Sequence, residues 1–531
     1  MKMKKLLALL LAIVLAVSLF AACSASESNS GSGGNGGNSG GNGGGNSGGN
    51  GGGNSGGSDG EITNISFWWT DNGNTGGGSK VKLVEEAINK ITEKEIGVHV
   101  NMNWIASADF ATQVNLAVTN QEPFDIATYL PGIAGSFLTY YTNGVLKDIT
   151  DLLDTYGKDV KALFGEELLK MTTIGGKVYG LPTYRILNSS MYLAIRKDAL
   201  EPYGLMEQAE NMKSWADYEA IMQAIKDSDN TAYPFGSSNV YGLIADPGAI
   251  FGGKTFDDIT TYDILGDSLY VIFSDQQGNV GLLQDQQAFV DQCKMIADWY
   301  GKGYVWPDTA YNTDGSESLI GQNVFASYLT QSEYGIEVNK TQQIGAEMFC
   351  LKLKDSYLST TQGQKFGIFI PATSEEPEAA MKFINLLYTN KDLMNCYIYG
   401  VEGETYLLKD GVGYYPEGTD SSTCGYHAMD FTLGNQFLVY PWTPLGSDFR
   451  VGALENFQNA LKSNYIGFTV DTGDYQTMMA GITAVVQEYM KQITGGLYTD
   501  SMYQEFMGKL QSAQINDWVA IYQNALTEWL G

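Results

Sequence analysis

The chain has 531 residues, with 60 acidic against 31 basic side chains and a formal net charge of −29. So acidic a body repels nucleic acid and anionic membrane surfaces, which argues against both as direct partners and disfavours strongly anionic ligands. Two histidines and five cysteines without a CxxC pair give no basis for a histidine-rich metal centre or multi-histidine chemistry.

The chain opens with Lys2, Lys4 and Lys5, followed by an apolar run over residues 6–22. A charged start, a short apolar core and small residues at its end have the shape of a secretory signal peptide, since a membrane-spanning helix needs about 20 apolar residues. Phe20-Ala21-Ala22-Cys23 resembles a bacterial lipobox, which makes Cys23 the expected lipidated N-terminus of the mature chain. Residues 24–60 are almost all Gly, Asn and Ser, a composition that cannot build a core and reads as a flexible tether, with an end-to-end distance on the order of 30–35 Å. The remainder, about 470 residues, is too long for one small core and suits two lobes. Cys293, Cys350, Cys396 and Cys424 are widely spaced and are expected as free buried thiols, two disulfides in any of three connectivities being the alternative.

Residues 62–69 (ITNISFWW) read as a buried strand. Ser79 is placed to cap a helix whose apolar positions Val81, Val84, Ala87, Ile88 and Ile91 follow helical spacing, and Gly97 stops it. Val98, Val100, Met102 and Trp104 alternate with polar residues as in a half-buried strand. A helix over 109–119 and a strand over 124–129 follow, ended by Pro131-Gly132. The order β-α-β-α-β predicts a doubly wound parallel sheet. Ligands of such sheets bind beyond the carboxyl ends of the strands, which here carry Trp69 with Asp71, Trp104 and Tyr129. Aromatic faces suit the C–H surface of a sugar ring and the flanking polar groups suit its hydroxyls, although each tryptophan also fits a core. Adjacent strand residues point to opposite faces, so Trp68 and Trp69 cannot share one role; Trp69 is the candidate.

Further along, several segments carry a family resemblance. Gly175 to Pro182 (GGKVYGLP) with Met191 to Asp198 (MYLAIRKD), Lys213 to Tyr218 (KSWADY), Gly301 to Asp308 (GKGYVWPD) and Gly321 to Ala326 (GQNVFA) occur in an order similar to that of extracellular solute-binding proteins of the carbohydrate-binding class. Residues 376–388 and 399–406, Gly434 to Phe437 and the helical tail resemble a Gram-positive lipoprotein subgroup with a DUF3502-type C-terminal region. The resemblance implies an α/β, two-lobed periplasmic-binding-protein-like (type II) fold, with doubly wound sheets joined by a hinge. The N-terminal lobe is expected over 61–183 and 325–390, and the C-terminal lobe over 184–324 and 391–531. Hinge segments are expected at 180–188 and 323–330, with Tyr184, Arg185 and Tyr328 lining the cleft.

Glu402 and Tyr406 in a Gly-flanked loop, Asn435 and Gln436 with paired donors and acceptors, and Trp442 as a stacking platform complete the candidate ligand-binding set. Trp215, Trp299 and Trp306 read as packing of the second lobe. The implied function is that of a non-enzymatic substrate-binding lipoprotein of an ABC transporter, capturing an oligosaccharide or other sugar by hinge closure. Its partners would be the carbohydrate ligand and ABC permease subunits, with no cofactor, a monomeric state and a place on the outer face of the cell membrane. An oligopeptide-binding protein is the alternative reading. A surface sensor is another. A surface glycoside hydrolase, which needs two carboxylates roughly 5–10 Å apart, is a third. Asp71 to Asn74 and Asn312 to Gly315 resemble fragments of calcium loops, lack the closing acidic residue and read as turns.

Overall fold

The computed structural model describes residues 62–70, 78–132, 134–236, 250–265 and 272–531. The apolar segment 6–22, Cys23, the polar stretch 24–60 and Asp71 to Asn74 lie outside them.

Strand β1 (Thr63–Thr70) buries Ile65, Phe67 and Trp69 on one face, while Trp68 on the other stacks on Phe124 at 4.4 Å. Helix α1 (Val81–Ile96) turns Val84, Ile88 and Thr92 inward and ends at Gly97, whose φ of 67° suits a residue without a Cβ. Its cap position is Lys80 rather than Ser79, and no side chain caps it. Strand β2 (Val98–Ile105) runs parallel to β1 with Phe67 opposite Met102; helix α2 (Ser107–Asn120) then leads to β3 (Ile126–Tyr129), parallel to β1 on its other side. The expected β-α-β-α-β order is therefore present, with element ends shifted by a few residues. β2 lies at the sheet edge, where unpaired backbone groups invite aggregation. Here α1 covers them: Asn89 Nδ2 donates to the Val100 carbonyl at 3.0 Å, Asn89 Oδ1 accepts from the Val100 amide at 2.7 Å, and Glu85 accepts from the Met102 amide at 2.9 Å.

After the short strand β4 (Leu181–Pro182) the chain leaves this sheet and enters β5 (Ser190–Arg196). Helices α3 (Trp215–Asp227) and α4 (Gln287–Gly301) pack on it. Ser214 Oγ accepts from the Asp217 amide to cap α3, as the Ser-Trp-x-Asp pattern predicts. Trp215, Tyr218, Phe235 and Trp299 meet edge to face, and Trp299 Nε1 donates to Glu219 at 2.9 Å. Strands β6 (Ser327–Ser332) and β7 (Met348–Asp355) flank β5, both antiparallel to it. The chain then returns to the first sheet as β8 (Gly367–Phe369), giving the order β2-β1-β3-β8-β4 with β8 antiparallel to its neighbours. Helices α5 (Pro377–Thr389) and α6 (Lys391–Tyr399) cover that sheet through Phe383 and Tyr397, which touch Phe67. Helix α7 (Phe449–Gln458) stays with this body through Phe457. The tail helices α8 (Gln476–Gln492), α9 (Asp500–Ser512) and α10 (Ile515–Leu530) bury Ile482, Phe506 and Trp518 in the second core beside Trp299.

Two hydrophobic bodies result, and their boundaries differ from those expected. Residues 327–355 belong to the second body because β6 and β7 pair on either side of β5, so the chain cannot leave before Asp355. Residues 391–457 belong with the first body because α6 follows α5 after a single residue, Asn390, whose side chain caps it from the Leu393 amide. The segment 323–330, expected as a hinge, is internal to the second body for the same reason.

Replacing Asn89 by Ala leaves a buried amide and carbonyl of β2 unpaired. We expect the unfolding free energy, measured by urea denaturation, to fall by about 2 kcal/mol.

Candidate functional site

Among the described residues the chain passes between the two bodies at 183–189, 356–366 and 459–464, and these passages are tied side by side. The Ser356 amide donates to the Ser189 carbonyl at 3.0 Å and the Thr183 amide to Phe366 at 2.9 Å; Leu358 exchanges both backbone bonds with Leu461 and Ser463. Asn188 Nδ2 donates to Asn456 Oδ1 at 2.8 Å, fixing α7 against the first passage. Ser463 Oγ donates to the buried Asp263 at 2.6 Å, and burial pushes that carboxyl up to about 6.

Extended backbone at 184–185 sends successive side chains opposite ways. Tyr184 enters the first core, edge-on to Phe164, Phe437 and Phe457. Arg185, 5% exposed, turns to the other side, where its guanidinium lies 5.1 Å from the Phe366 ring and Nη1 donates to Glu333 Oε1 at 2.7 Å. Glu333 directly follows β6 and so comes from the second body. Its side chain keeps 41% exposure although protein surrounds it, and burial pushes its carboxyl up against the opposing pull of Arg185. Glu333 therefore stands partly open at the junction of the two bodies, the place a cleft floor takes in a two-bodied binding protein.

A second buried arginine stands nearby. Arg450 on α7 pairs with Asp430 and donates from Nε to the Val439 carbonyl at 3.1 Å. Asp430 Oδ1 also accepts from Gln436 Nε2 at 3.1 Å, and Gln436 Oε1 accepts from the Ile186 amide at 3.2 Å, so the carboxylate is linked to the first passage. The charge of Asp430 is felt at Glu333. Phe431, next in sequence, meets Phe366 edge to face at 5.3 Å. The same segment runs back to His427, packed at 4.6 Å from Trp442 and 5.2 Å from both Tyr399 and Tyr415, and to Tyr426, edge-on to Trp104 at the end of β2. The strip 426–436 therefore joins the carboxyl end of the first sheet to the passages between bodies. Burial pushes the His427 imidazole down to about 4, so it is neutral at pH 7.

The residues singled out from sequence divide accordingly. Trp69 is 2% exposed, stacked between Phe67 and Trp104; Tyr129 is fully buried, its hydroxyl donating to the Gly363 carbonyl at 3.0 Å; Tyr328 is 2% exposed and donates to Glu317 at 3.2 Å. These three, with Tyr184, are core side chains, because both faces of each sheet are covered and strand ends are not thereby open. Asn435 is buried, donating to the Tyr388 carbonyl at 3.0 Å and accepting from the Phe437 amide at 3.1 Å. Gln436 is likewise buried and orients Asp430 rather than facing solvent. Glu402 is exposed and Tyr406 buried on the 400–406 turn, which Lys80 and Glu404 tie to the start of α1 at 3.4 Å. Trp104 and Trp442 are half-buried, and Arg185 is on the floor. Sequence reasoning missed Glu333, Asp430, Arg450, Phe366, Phe431 and His427. The usable signal was the run Gly425-Tyr426-His427 with Asp430-Phe431, which places one of two histidines beside aromatic and acidic residues in a Gly-flanked stretch. The described residues hold no group of three or more His, Cys, Asp or Glu suited to a metal ion, and Cys293, Cys350, Cys396 and Cys424 are free thiols. Among the described residues no helix is long and apolar enough to cross a membrane.

Comparison with known proteins places this architecture. Residues 73–394 match the bacterial extracellular solute-binding protein family, and residues 464–531 match a domain of unknown function, DUF3502. A carbohydrate ABC transporter substrate-binding protein of Streptococcus pneumoniae serotype 4 is 22% identical over 431 residues, 80% of this chain and 83% of that one. The crystal structure of the N-glycan transport solute-binding protein NgtS from Streptococcus pneumoniae is similar with a TM-score of 0.71 at 19% identity, covering 88% of this chain and 99% of that one. The same protein in complex with Man5GlcNAc gives 0.59 at 18% identity, over 88% and 98% of the two chains. The chain belongs to the bacterial extracellular solute-binding protein family and has its two-bodied type II fold.

Burial of the neutral His427 imidazole makes stability depend on pH. The imidazole takes up protons more readily when unfolded, so its contribution to stability is present above pH 6.5 and is lost as pH falls toward 4. We expect this group to lower the unfolding free energy by about 2 kcal/mol between pH 7 and pH 5. The His427→Gln variant, followed by denaturant titration at both pH values, should show a smaller drop than the unmodified protein by that amount.

Proposed function

We propose that this chain is the substrate-binding lipoprotein of an ABC importer, capturing an oligosaccharide between its two bodies by hinge closure. The cleft floor carries the reading: two buried arginines, each paired with a partly open carboxylate, and two half-buried phenylalanines beside the linked chain passages. Closing two rigid bodies over a solute removes it from water, and short connecting segments absorb the motion. A ligand favours the closed form only by the extra contacts it makes there, which is what acceptor groups supplied from both bodies provide.

The carbohydrate class of ligand is supported by the relatives, a carbohydrate ABC transporter substrate-binding protein and an N-glycan transport solute-binding protein. In this reading Trp104 and Trp442 form aromatic walls above the floor and Glu402 stands at the rim, with Asp71 as a further ligand contact. The acidic chain acts as a monomer, anchored through a lipid on Cys23 and tethered by residues 24–60, and presents its closed form to permease subunits. No residue is assigned a catalytic role.

A thermal-shift screen of the purified protein against oligosaccharides and a peptide pool tests this. A ligand at about 100 times its dissociation constant adds roughly 2.7 kcal/mol to the folded state, and we expect that shift with an intact oligosaccharide. A shift with peptides alone, or cleavage of the glycan, would overturn the reading.

A further inference from the structure

The two carboxylates on the cleft floor come from different bodies, Glu333 after β6 and Asp430 from the strip over the first sheet. Each is backed by its own buried arginine, Arg185 at 5% and Arg450 at 8% exposure. Glu333 keeps 41% of its side chain open and Asp430 21%. Arg185 spends Nη1 on Glu333 and on the Ile186 carbonyl at 2.8 Å, while its buried Nε has no hydrogen-bond acceptor among the described residues. A buried donor without an acceptor is costly, and more so on a charged group. The geometry therefore holds acceptors from two sides and one unmet donor, over the apolar edge-to-face pair Phe366 and Phe431.

We propose that Glu333 and Asp430 form a two-sided acceptor site for hydroxyls of an uncharged sugar ring, with Arg185 Nε donating to a ring substituent and Phe366 and Phe431 supporting its C–H face. The inference rests on the oligosaccharide reading above and adds the charge class of the ligand. Each guanidinium is already paired with a carboxylate that offsets its charge, so the carboxylate of a uronate or a sialic acid meets no net positive charge there. It would instead be a third negative charge beside Glu333 and Asp430, whose mutual repulsion already acts on Glu333. Lys365 on the second passage lies near enough to act on Glu333, but its side chain is exposed, where water and salt screen it. A hydroxyl donating to an arginine-backed carboxylate asks for no such change in charge, and charge-assisted bonds of this kind are the stronger ones.

The test is isothermal titration of the unmodified protein with Man5GlcNAc, a neutral lacto-N-tetraose, its sialylated counterpart and an oligo-uronate. Glu333→Gln, Glu333→Asp and Asp430→Asn are measured alongside, with ligand-free melting recorded for each. We expect a neutral glycan to bind, the sialylated form of the same glycan to bind at least tenfold more weakly, and Glu333→Gln and Asp430→Asn each to lose at least tenfold in affinity for the neutral one. Glu333→Asp, which keeps the charge, should lose less than Glu333→Gln. Equal or tighter binding of the charged counterpart, or unchanged affinity in both amide variants, would overturn this inference while leaving sugar capture in place. Silence of every glycan would overturn the capture reading itself. The charge comparison uses only the unmodified protein, so a variant that fails to fold does not remove the test.

Discussion

Backbone hydrogen bonds between the passages at 183–189, 356–366 and 459–464 are the constraint on which the rest of the molecule depends. Each body has its own buried core, and the passages hold the two in one register while leaving few residues to resist a change of angle. Because Ser356 pairs with Ser189, and Leu358 with Leu461 and Ser463, the passages are joined into one strip rather than running as independent linkers. Side chains on opposite faces of the first passage inherit opposite tasks. Tyr184 locks it to the first core, and Arg185 furnishes the cleft.

Buried ion pairs are a poor source of net stability, since desolvation offsets much of the Coulombic attraction. Two of them at one cleft floor, each with an oxygen-bearing side chain still partly open, are better understood as equipment for a ligand than as fold stabilisers. The chain from the Ile186 amide through Gln436 to Asp430 and Arg450 ties the position of that carboxylate to the first passage. His427, neutral at physiological pH, packs among Tyr399, Tyr415 and Trp442. The tail helices stand apart from the cleft; they bury Phe506 and Trp518 in the second core and enlarge it.

The first sheet was readable from sequence because alternation in β2 and helical spacing in α1 are local signals, and Gly97 marks a local stop. Lobe boundaries were not, because pairing of β6 and β7 around β5 joins residues more than a hundred positions apart and leaves no local mark. Aromatic residues at strand ends suggested a site, and Trp69 and Tyr129 instead proved to be core, since both faces of the sheet are covered by helices. Arg185 was legible through the motif that precedes the first passage. Glu333 and Asp430 were not, because in a chain with 60 acidic residues composition cannot single out two.

Under the proposed hinge closure, ligand draws the two bodies together about the linked passages. Small-angle X-ray scattering of the protein, alone and saturated with an oligosaccharide that it binds, measures this directly. Hinge closure predicts a smaller radius of gyration in the saturated sample; an unchanged radius with the site demonstrably full would rule it out.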